Sequence, residues 1–563
     1  MHDAIERLKE YLLRFAPVRR AVRDRVLRSG HTDWGTLLAP DAAYWQKALC
    51  EAQDGPHVLI PTSVGSNMAA TTLEGTLAAA LTLRGCRVSL LLCDGVLDAC
   101  MACQREWYSA SFSTSRPLSR GSCRACLAPA LASYQGLGLS VLRYGEFLKT
   151  KDIIRARDLA RDTPLGDIAS LHVNGVAVGE HALAGTLRFF ARGDLNGEPG
   201  GEPVLRQFLQ SALTTSAAME RLLVRERIDA AVFNHGIYVP QGIVGEALRA
   251  HGVPQVNWTA TYRRQTFVFS HGDTYHRTML TDPPSQWRNM PWTETRQRRL
   301  LDYLESRRHG TGDWIWFFDR PNFAAAEALR QLGANPALPC DGLLTSVVWD
   351  AVLHYESNAF PNMLEWIVAT VHHYAEHPDR QLVIRVHPAE IRGTLPSRQR
   401  VDVELAQRHG PLPQNVILVP PEHPVSTYAL LEQCRRILIY NTKMGVELSA
   451  MGKQVVVAGE AWIRGKGFSI DVDSPKSYAK ALLDDAVDAP LDEARLLLAR
   501  KYAYHFFFER MVELPMLRPT GGDPQFRLDI DSVRRLAPGQ NANLDLVCQG
   551  IVEGTPILAA PDE

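Results

Sequence analysis

Three short stretches in the second half of the chain place polar side chains where an apolar run stops. Leu382–Val386 runs into His387-Pro388-Ala389-Glu390. Pro388 fixes φ after the histidine, so the ring is expected to project over a strand end, with Arg385 close by. Ile437–Tyr440 runs into Asn441-Thr442-Lys443-Met444-Gly445-Val446-Glu447. A strand that stops while a helix opens brings hydroxyl, amide and ammonium donors together, the chemistry of a phosphate site. Glu447 falls about one turn into that helix, where a carboxylate can take the hydroxyls of a ribose. The run Gln454–Ala458 leads into Gly459-Glu460-Ala461-Trp462-Ile463-Arg464-Gly465-Lys466-Gly467, with two cations, an acid and an aromatic face. Each stretch is weak alone. Three successive strand ends in one sheet favour a nucleotide site formed by Arg385, His387, Pro388, Asn441, Thr442, Lys443, Glu447, Arg464 and Lys466.

The first half offers a second set. His57–Ser63 is followed by Val64-Gly65-Ser66-Asn67 and a helix. Ser66 and Asn67 there serve either as helix caps or as ligands of a substrate hydroxyl or phosphate. No Walker A lysine and no GxGxxG fingerprint follow. His235-Gly236 ends the run Asp229–Asn234, and a histidine at a strand end suits general-base work near neutral pH. Asp94 and Glu460 are the other strand-end bases. Tyr262 and Arg263 could hold an anionic acceptor or form a surface turn.

Five of the ten cysteines fall between Cys93 and Cys126. Cys100-x2-Cys103 and Cys123-x2-Cys126 are separated by 19 residues, the spacing of a four-thiolate zinc site. Four thiolates close the coordination shell, so the expected zinc is structural. The other reading is a set of buried thiols without metal. Cys93 is a fifth thiol at a strand end.

These groups need a frame that presents strand ends to one another. Strand, glycine turn, helix and strand follow in order over His57–Ser63, Met68–Arg84 and Arg87–Cys93, the opening of a parallel sheet. Asp229–Asn234 and Gln255–Trp258 continue it, and 193–203 reads as an exposed loop. Past Pro336 a second alternating series begins, with strands at Leu343–Trp349, Leu382–Val386, Ile437–Tyr440 and Gln454–Ala458. Helices are expected at Asn362–His377, Thr427–Cys434 and Lys443–Met451. The predicted fold is α/β, with two doubly wound Rossmann-like units facing a cleft. The divisions are 1–55 helical, 56–335 acceptor domain with the cysteine insert, 336–480 nucleotide-sugar domain, and 481–563 helices returning to the first domain. The aromatic block Tyr502–Phe508 needs a partner surface once the second sheet is complete.

Composition narrows the function. In 563 residues, 46% are apolar and 22% charged, which excludes global disorder. Lys+Arg of 61 against Asp+Glu of 62 leaves a net charge of −1, so no whole-molecule field for nucleic acid exists. No apolar run reaches the roughly 18 residues of a membrane span. The start lacks the basic-then-apolar order of a secretory signal, and a cytoplasmic protein is expected. Residues 1–30 carry +4, with Ile5, Leu8, Leu12 and Phe15 on one helical face. That face fits packing on the body, or peripheral contact with the inner face of an anionic membrane.

The runs VIRVHPAE (383–390) and YNTKMGVELSAMGKQVVVAGEAWIRGKGF (440–468) resemble the bacterial capsule polysaccharide biosynthesis family, which includes Kdo-transferring glycosyltransferases. The resemblance covers roughly residues 340–480. It implies a GT-B fold, with a donor nucleotide on the C-terminal domain and a glycan or glycolipid acceptor on the N-terminal one. By the same resemblance His387 would hold the nucleotide phosphate, helped by Thr442 and Lys443. Asn441-Thr442 stands where the family has paired serines, so the resemblance leaves the nucleotide open, CMP-Kdo among the choices. The donor phosphate would be stabilised electrostatically, and no catalytic metal is expected. A polyol-phosphate transferase, a nucleotide-sugar epimerase and a non-catalytic export scaffold are the alternatives.

Overall fold

The computed structural model describes residues 25–27, 30–108, 116–119, 121–310, 312–314, 321–484 and 489–560. The expected helical face at Ile5–Phe15 lies outside them.

Strand β1 (His57–Ser63) is buried along its whole length, as its run of β-branched and aliphatic residues requires. Helix α1 (Met68–Thr82) follows, capped by the Asn67 side chain on Ala70 N at 3.1 Å. Nearly every side of α1 is buried, and its alanines, threonines and one glycine let it sit between the sheet and the chain's C-terminal segment. Then come β2 (Arg87–Leu92), α2 (Cys123–Gln135), β3 (Ser140–Arg143), α3 (Val178–Phe190) and α4 (Gly201–Arg225). After them stand β4 (Ala230–Asn234), α5 (Gln241–Ala250), β5 (Gln255–Ala260) and β6 (Thr266–His271). β3, β2, β1, β4 and β5 lie side by side and parallel, and β6 adds antiparallel to β5. The region read as a loop over 193–203 ends at Gly201, where the 25-residue α4 starts.

Helix α6 (Glu294–His309) leads toward the second sheet, and its Leu300 and Leu304 enter that sheet's core. The second sheet holds β7 (Cys340–Leu344), β8 (Gln381–Arg385), β9 (Val416–Val419), β10 (Arg436–Ile439), β11 (Gln454–Val457) and β12 (Ile470–Asp471). Helices α7 (Met363–Glu376) and α8 (Met444–Ala450) lie among them. All pairings are parallel, in the order β12-β11-β10-β7-β8-β9. The strand expected at Leu343–Trp349 runs instead over Cys340–Leu344. Thr345 and Ser346 belong to the loop beyond it, because their hydroxyls bond across the strand ends rather than along a ladder.

Helix α9 (Glu493–Tyr504) ends in a single π-helical turn at His505–Glu509. The aromatic block wedges between α6 and the second sheet: Tyr502 meets Trp287 at 5.1 Å and Phe507 meets Tyr303 at 4.9 Å. The chain then returns, and β13 (Val512–Glu513) pairs antiparallel with β6 of the first sheet. A small hairpin of β14 (Leu517–Pro519) and β15 (Phe526–Leu528) and helix α10 (Ala542–Glu553) complete the first domain's core. Two open parallel sheets joined in this way form a GT-B fold. Among the described residues no helix is long and apolar enough to cross a membrane.

Candidate donor and acceptor cleft

The carboxyl ends of both sheets line one cleft of about 800 Å³, where ligands of open parallel sheets are held. The second sheet supplies Thr345, Ser346, His387, Pro388, Ser426, Thr427, Asn441, Thr442 and Lys443. Facing them from the first sheet are Asn67, Arg188, Asn234, His235, Tyr238, Tyr262, Tyr275 and His276.

His387 is held by its own turn. Its backbone N–H donates to Thr345 Oγ1 at 2.9 Å, and its Nδ1 accepts Ala389 N–H at 3.0 Å. An Nδ1 that accepts leaves the ring proton on Nε2. Burial, and then the charges of Arg385 and Lys443, push its pKa down to about 4, so the ring is a neutral donor at pH 7. Arg385 lines the same wall, but its guanidinium donates to the carbonyls of Pro420 at 2.7 Å and His423 at 3.1 Å. It braces the loop after β9 from beneath. Asn441 joins the Ser346 hydroxyl to Glu460, donating to Glu460 Oε1 at 3.2 Å.

Lys443 is placed as the sequence suggests but not as a free cation. Its Nζ bonds Glu447 Oε1 at 2.8 Å and sits 3.9 Å over the Tyr262 ring, a cation–π contact between the two domains. Burial and the nearby Arg307 lower its pKa to about 8, against the pull of Glu447. Helix α8 has only seven residues, and Thr442 Oγ1 already accepts Met444 N–H at 3.3 Å. Side chains, rather than a helix dipole, therefore make the polar character of this corner.

Several expected site residues lie elsewhere, for identifiable reasons. Glu447 cannot take a ribose: it is fully buried, and Arg307 Nε at 2.9 Å, Tyr428 OH and Lys443 share its two oxygens. Burial opposes its ionisation, yet Arg307 and Lys443 hold its pKa at about 2. Arg464 donates to the carbonyls of Gly459, Val457 and Val472, which ties the loop after β11 to its own strand. Lys466 is buried and donates to the carbonyls of Leu280 and Asp282, fastening the domains together. Glu460 is buried behind Asn441, and burial raises its pKa. Asp94 accepts Gly145 N–H at 3.1 Å, outside the cleft lining. Ser66 is turned to the cysteines, and Arg263 donates to Phe507 O at 2.8 Å.

The first-sheet wall is aromatic and nearly neutral. His235 adopts a left-handed backbone, with φ of 65°, at the end of β4. Its ring stacks on Tyr238 at 5.3 Å, and its Nδ1 is buried without a hydrogen-bond partner. A non-glycine residue in that conformation carries strain that its surroundings must hold. They do: Asn67 Nδ2 donates to Asn234 Oδ1 at 3.2 Å, and the buried Glu74 accepts Asn234 N–H at 2.8 Å. Burial lowers the pKa values of His235 and His276 to about 4. The sequence reading missed Asp350 and Arg188. Asp350 lines the cleft from the second domain, is itself exposed, and accepts the Tyr238 hydroxyl at 2.6 Å. Arg188 lies 5.3 Å over the Tyr238 ring and donates to Met101 O at 2.8 Å. Neither ends a strand, so no strand-end rule could find them.

All five clustered cysteines line one smaller cavity of about 30 Å³ behind the first-sheet wall. Among the described residues no group of three or more His, Cys, Asp and Glu side chains is arranged to hold a metal ion.

Residues 350–503 match the family described as capsule polysaccharide biosynthesis protein. No curated protein matches the chain. Among solved structures, the chain is similar to Thermosulfurimonas dismutans KpsC, a beta Kdo 2,4 transferase. Identity is 12% and TM-score 0.32, over 55% of this chain and 87% of that one. It is also similar to Neisseria meningitidis UDP-GlcNAc 2-epimerase bound to UDP-GlcNAc, at 11% identity and TM-score 0.21, over 79% and 98%. A UDP-forming trehalose-phosphate synthase from Burkholderia vietnamiensis gives 12% and 0.27, over 80% and 97%. Scores this low leave the fold assignment to rest on the strand order itself. The segment 350–503, which carries most of the second sheet and the loops at its carboxyl edge, is thus similar to the capsule polysaccharide biosynthesis family.

Proposed function

We propose that this chain is a glycosyltransferase of capsule or related surface-glycan synthesis, taking a nucleotide-activated sugar and a glycan or glycolipid acceptor. The observation that carries the reading is the asymmetry of the cleft. One wall offers a neutral histidine Nε2–H, the Ser346, Ser426, Thr427 and Thr442 hydroxyls and the Lys443 ammonium. The other offers aromatic faces and proton acceptors. Donors on the first wall suit a leaving nucleotide phosphate, whose charge grows as the glycosidic bond breaks, and contacts that strengthen then are the ones that speed the reaction. Stacked rings on the second suit the apolar faces of sugar rings.

In this reading His387 donates Nε2–H to a phosphate oxygen, with Thr442 and Lys443 beside it. Asp350 takes the proton of the acceptor hydroxyl, because its carboxyl group is exposed and lines the cleft. Burial keeps the His235 ring neutral, with its pKa near 4. The ring positions Tyr238, and through it Asp350. The resemblance leaves the nucleotide open, and CMP, with Kdo or a related acid as the sugar, is the first donor to test. The protein works in the cytoplasm, at the inner face of the membrane where glycolipid acceptors lie.

The test is thermal shift and calorimetry with CMP, UDP and GDP, on the wild type and on His387→Asn. Binding of one nucleotide, weakened in the variant, supports the donor wall. No binding by any nucleotide at millimolar concentration overturns the enzyme reading in favour of a non-catalytic scaffold.

A further inference from the structure

The cavity behind the first-sheet wall belongs to neither substrate. Cys93, Cys100, Cys103, Cys123 and Cys126 surround it, from two separate elements. Cys100 and Cys103 lie in the loop after β2, in a tight turn where Cys103 N–H donates to Cys100 O at 2.8 Å. Cys123 and Cys126 stand in the first turn of α2, a 13-residue helix whose free N–H groups face that end. Backbone donors already point at the sulfurs: Ser66 N lies 3.2 Å from Cys126 Sγ, and Gly95 N 3.4 Å from Cys93 Sγ. No disulfide joins any of the ten cysteines, although five are gathered here.

We propose that the two CxxC turns bind one zinc ion through Cys100, Cys103, Cys123 and Cys126, and that this ion fixes the acceptor wall of the cleft. The five cysteines line one cavity, but no three of them are arranged to hold an ion, so binding must draw the two turns together. Four thiols give up four protons to the solvent as four Zn–S bonds form, and the tetrathiolate carries a net charge of −2. The N-terminus of α2 and the Ser66 N–H donated to Cys126 Sγ offset that charge. Cys93 stays a thiol beside the site, since the shell is complete with four.

The link to the cleft is direct. Met101, inside the first turn, lines the cleft; its N–H donates to Val239 O at 2.8 Å, and its carbonyl holds Arg188. Cys126, inside the second, holds the amide of Ser66, next to the cleft residue Asn67. Gly65 lets α2 approach that closely, for a Cβ there would meet Cys126 O at 2.5 Å and Ala130 Cβ at 2.7 Å. Both turns therefore hand a residue to the acceptor wall.

The experiment is elemental analysis of the full chain purified without chelator, with zinc titration of protein stripped under reducing conditions. About one zinc per chain is expected, lost in Cys100→Ser and in Cys123→Ser. Cys93→Ser and Cys548→Ser should retain it. Native thiol counting guards against variants that fail to fold: four thiols of the wild type should become reactive only after zinc is removed. Absence of zinc together with no uptake by the stripped protein overturns the proposal, as does iron with inorganic sulfide, or loss of zinc in Cys93→Ser. Nucleotide binding at the donor wall is independent of all these outcomes, so this proposal and the enzymatic reading fail separately.

Discussion

The two walls of the cleft solve opposite problems. On the donor wall the groups that matter are surrounded by partners. His387 is fixed by Thr345 and Ala389, and Lys443 by Glu447, which is itself held by Arg307 and Tyr428. On the acceptor wall, His235 sits in a strained conformation with an unpartnered nitrogen, and Asp350 reaches it only through Tyr238. A wall that meets the same phosphate in every turnover gains from donors fixed in advance. Under the proposed function the other wall must admit a glycan, which calls for ring faces and few committed hydrogen bonds. The comparison also explains why a carboxylate that looks like a ribose ligand is not one: Glu447 is the counter-charge that keeps two buried cations in place.

The largest effect should come from breaking that counter-charge. Glu447→Ala leaves Arg307 and Lys443 buried with only Asp313 to share, and removing one partner of a buried pair costs about 3–5 kcal/mol. Denaturant unfolding of the variant measures it. A loss under about 1 kcal/mol would mean the network is wet and weakly coupled, closer to surface pairs. Glu447 would then be available to a ligand after all.

Next comes the donor wall itself. In His387→Asn the shorter side chain can still accept Ala389 N–H while the Nε2 donor is lost. Turnover should fall by about ten- to a thousandfold with stability nearly unchanged. His387→Ala should lose the same activity and stability as well. If both variants keep full turnover, the histidine is a turn residue, and the contrast between the walls loses its main support.

Much of this frame is legible in the amino-acid sequence. β1 begins and ends where its apolar run does, and β8, β10 and β11 lie within a residue of their expected bounds, because buried parallel strands are continuous aliphatic runs. His387, Asn441, Thr442 and Lys443 reach the cleft because they follow those strands. Sequence spacing failed where a side chain's partner comes from far along the chain. Arg307 reaches Glu447 across 140 positions, and Lys466 reaches Leu280 O across 186. Each spends on packing the charge that a local reading assigns to a ligand. Tyr238 and Asp350, 112 positions apart, show the converse: a contact made by domain apposition, with no periodicity to announce it.

The smallest expected effect concerns what lies beneath the acceptor wall. Glu74 is buried on α1, where its Oε1 accepts Asn234 N–H at 2.8 Å and Trp258 Nε1–H at 2.9 Å. Burial raises its pKa from 4.5 to about 7, against the hydrogen bonds that favour the anion. The sign follows from proton counting. Between pH 4.5 and 7 the folded chain keeps a proton that the unfolded chain has released. Stability from this group is therefore whole below pH 4.5, falls through that window, and is constant above it. Glu74→Gln can keep both accepted bonds on its amide oxygen and has no proton to lose. Its stability relative to wild type should rise by about 1–3 kcal/mol from pH 4.5 to pH 7.5, with most of the change before pH 7. A flat difference across that range would show that Glu74 is ionised in the fold. The end of β4, and the strained His235 with it, would then rest on a buried anion rather than on a neutral acid.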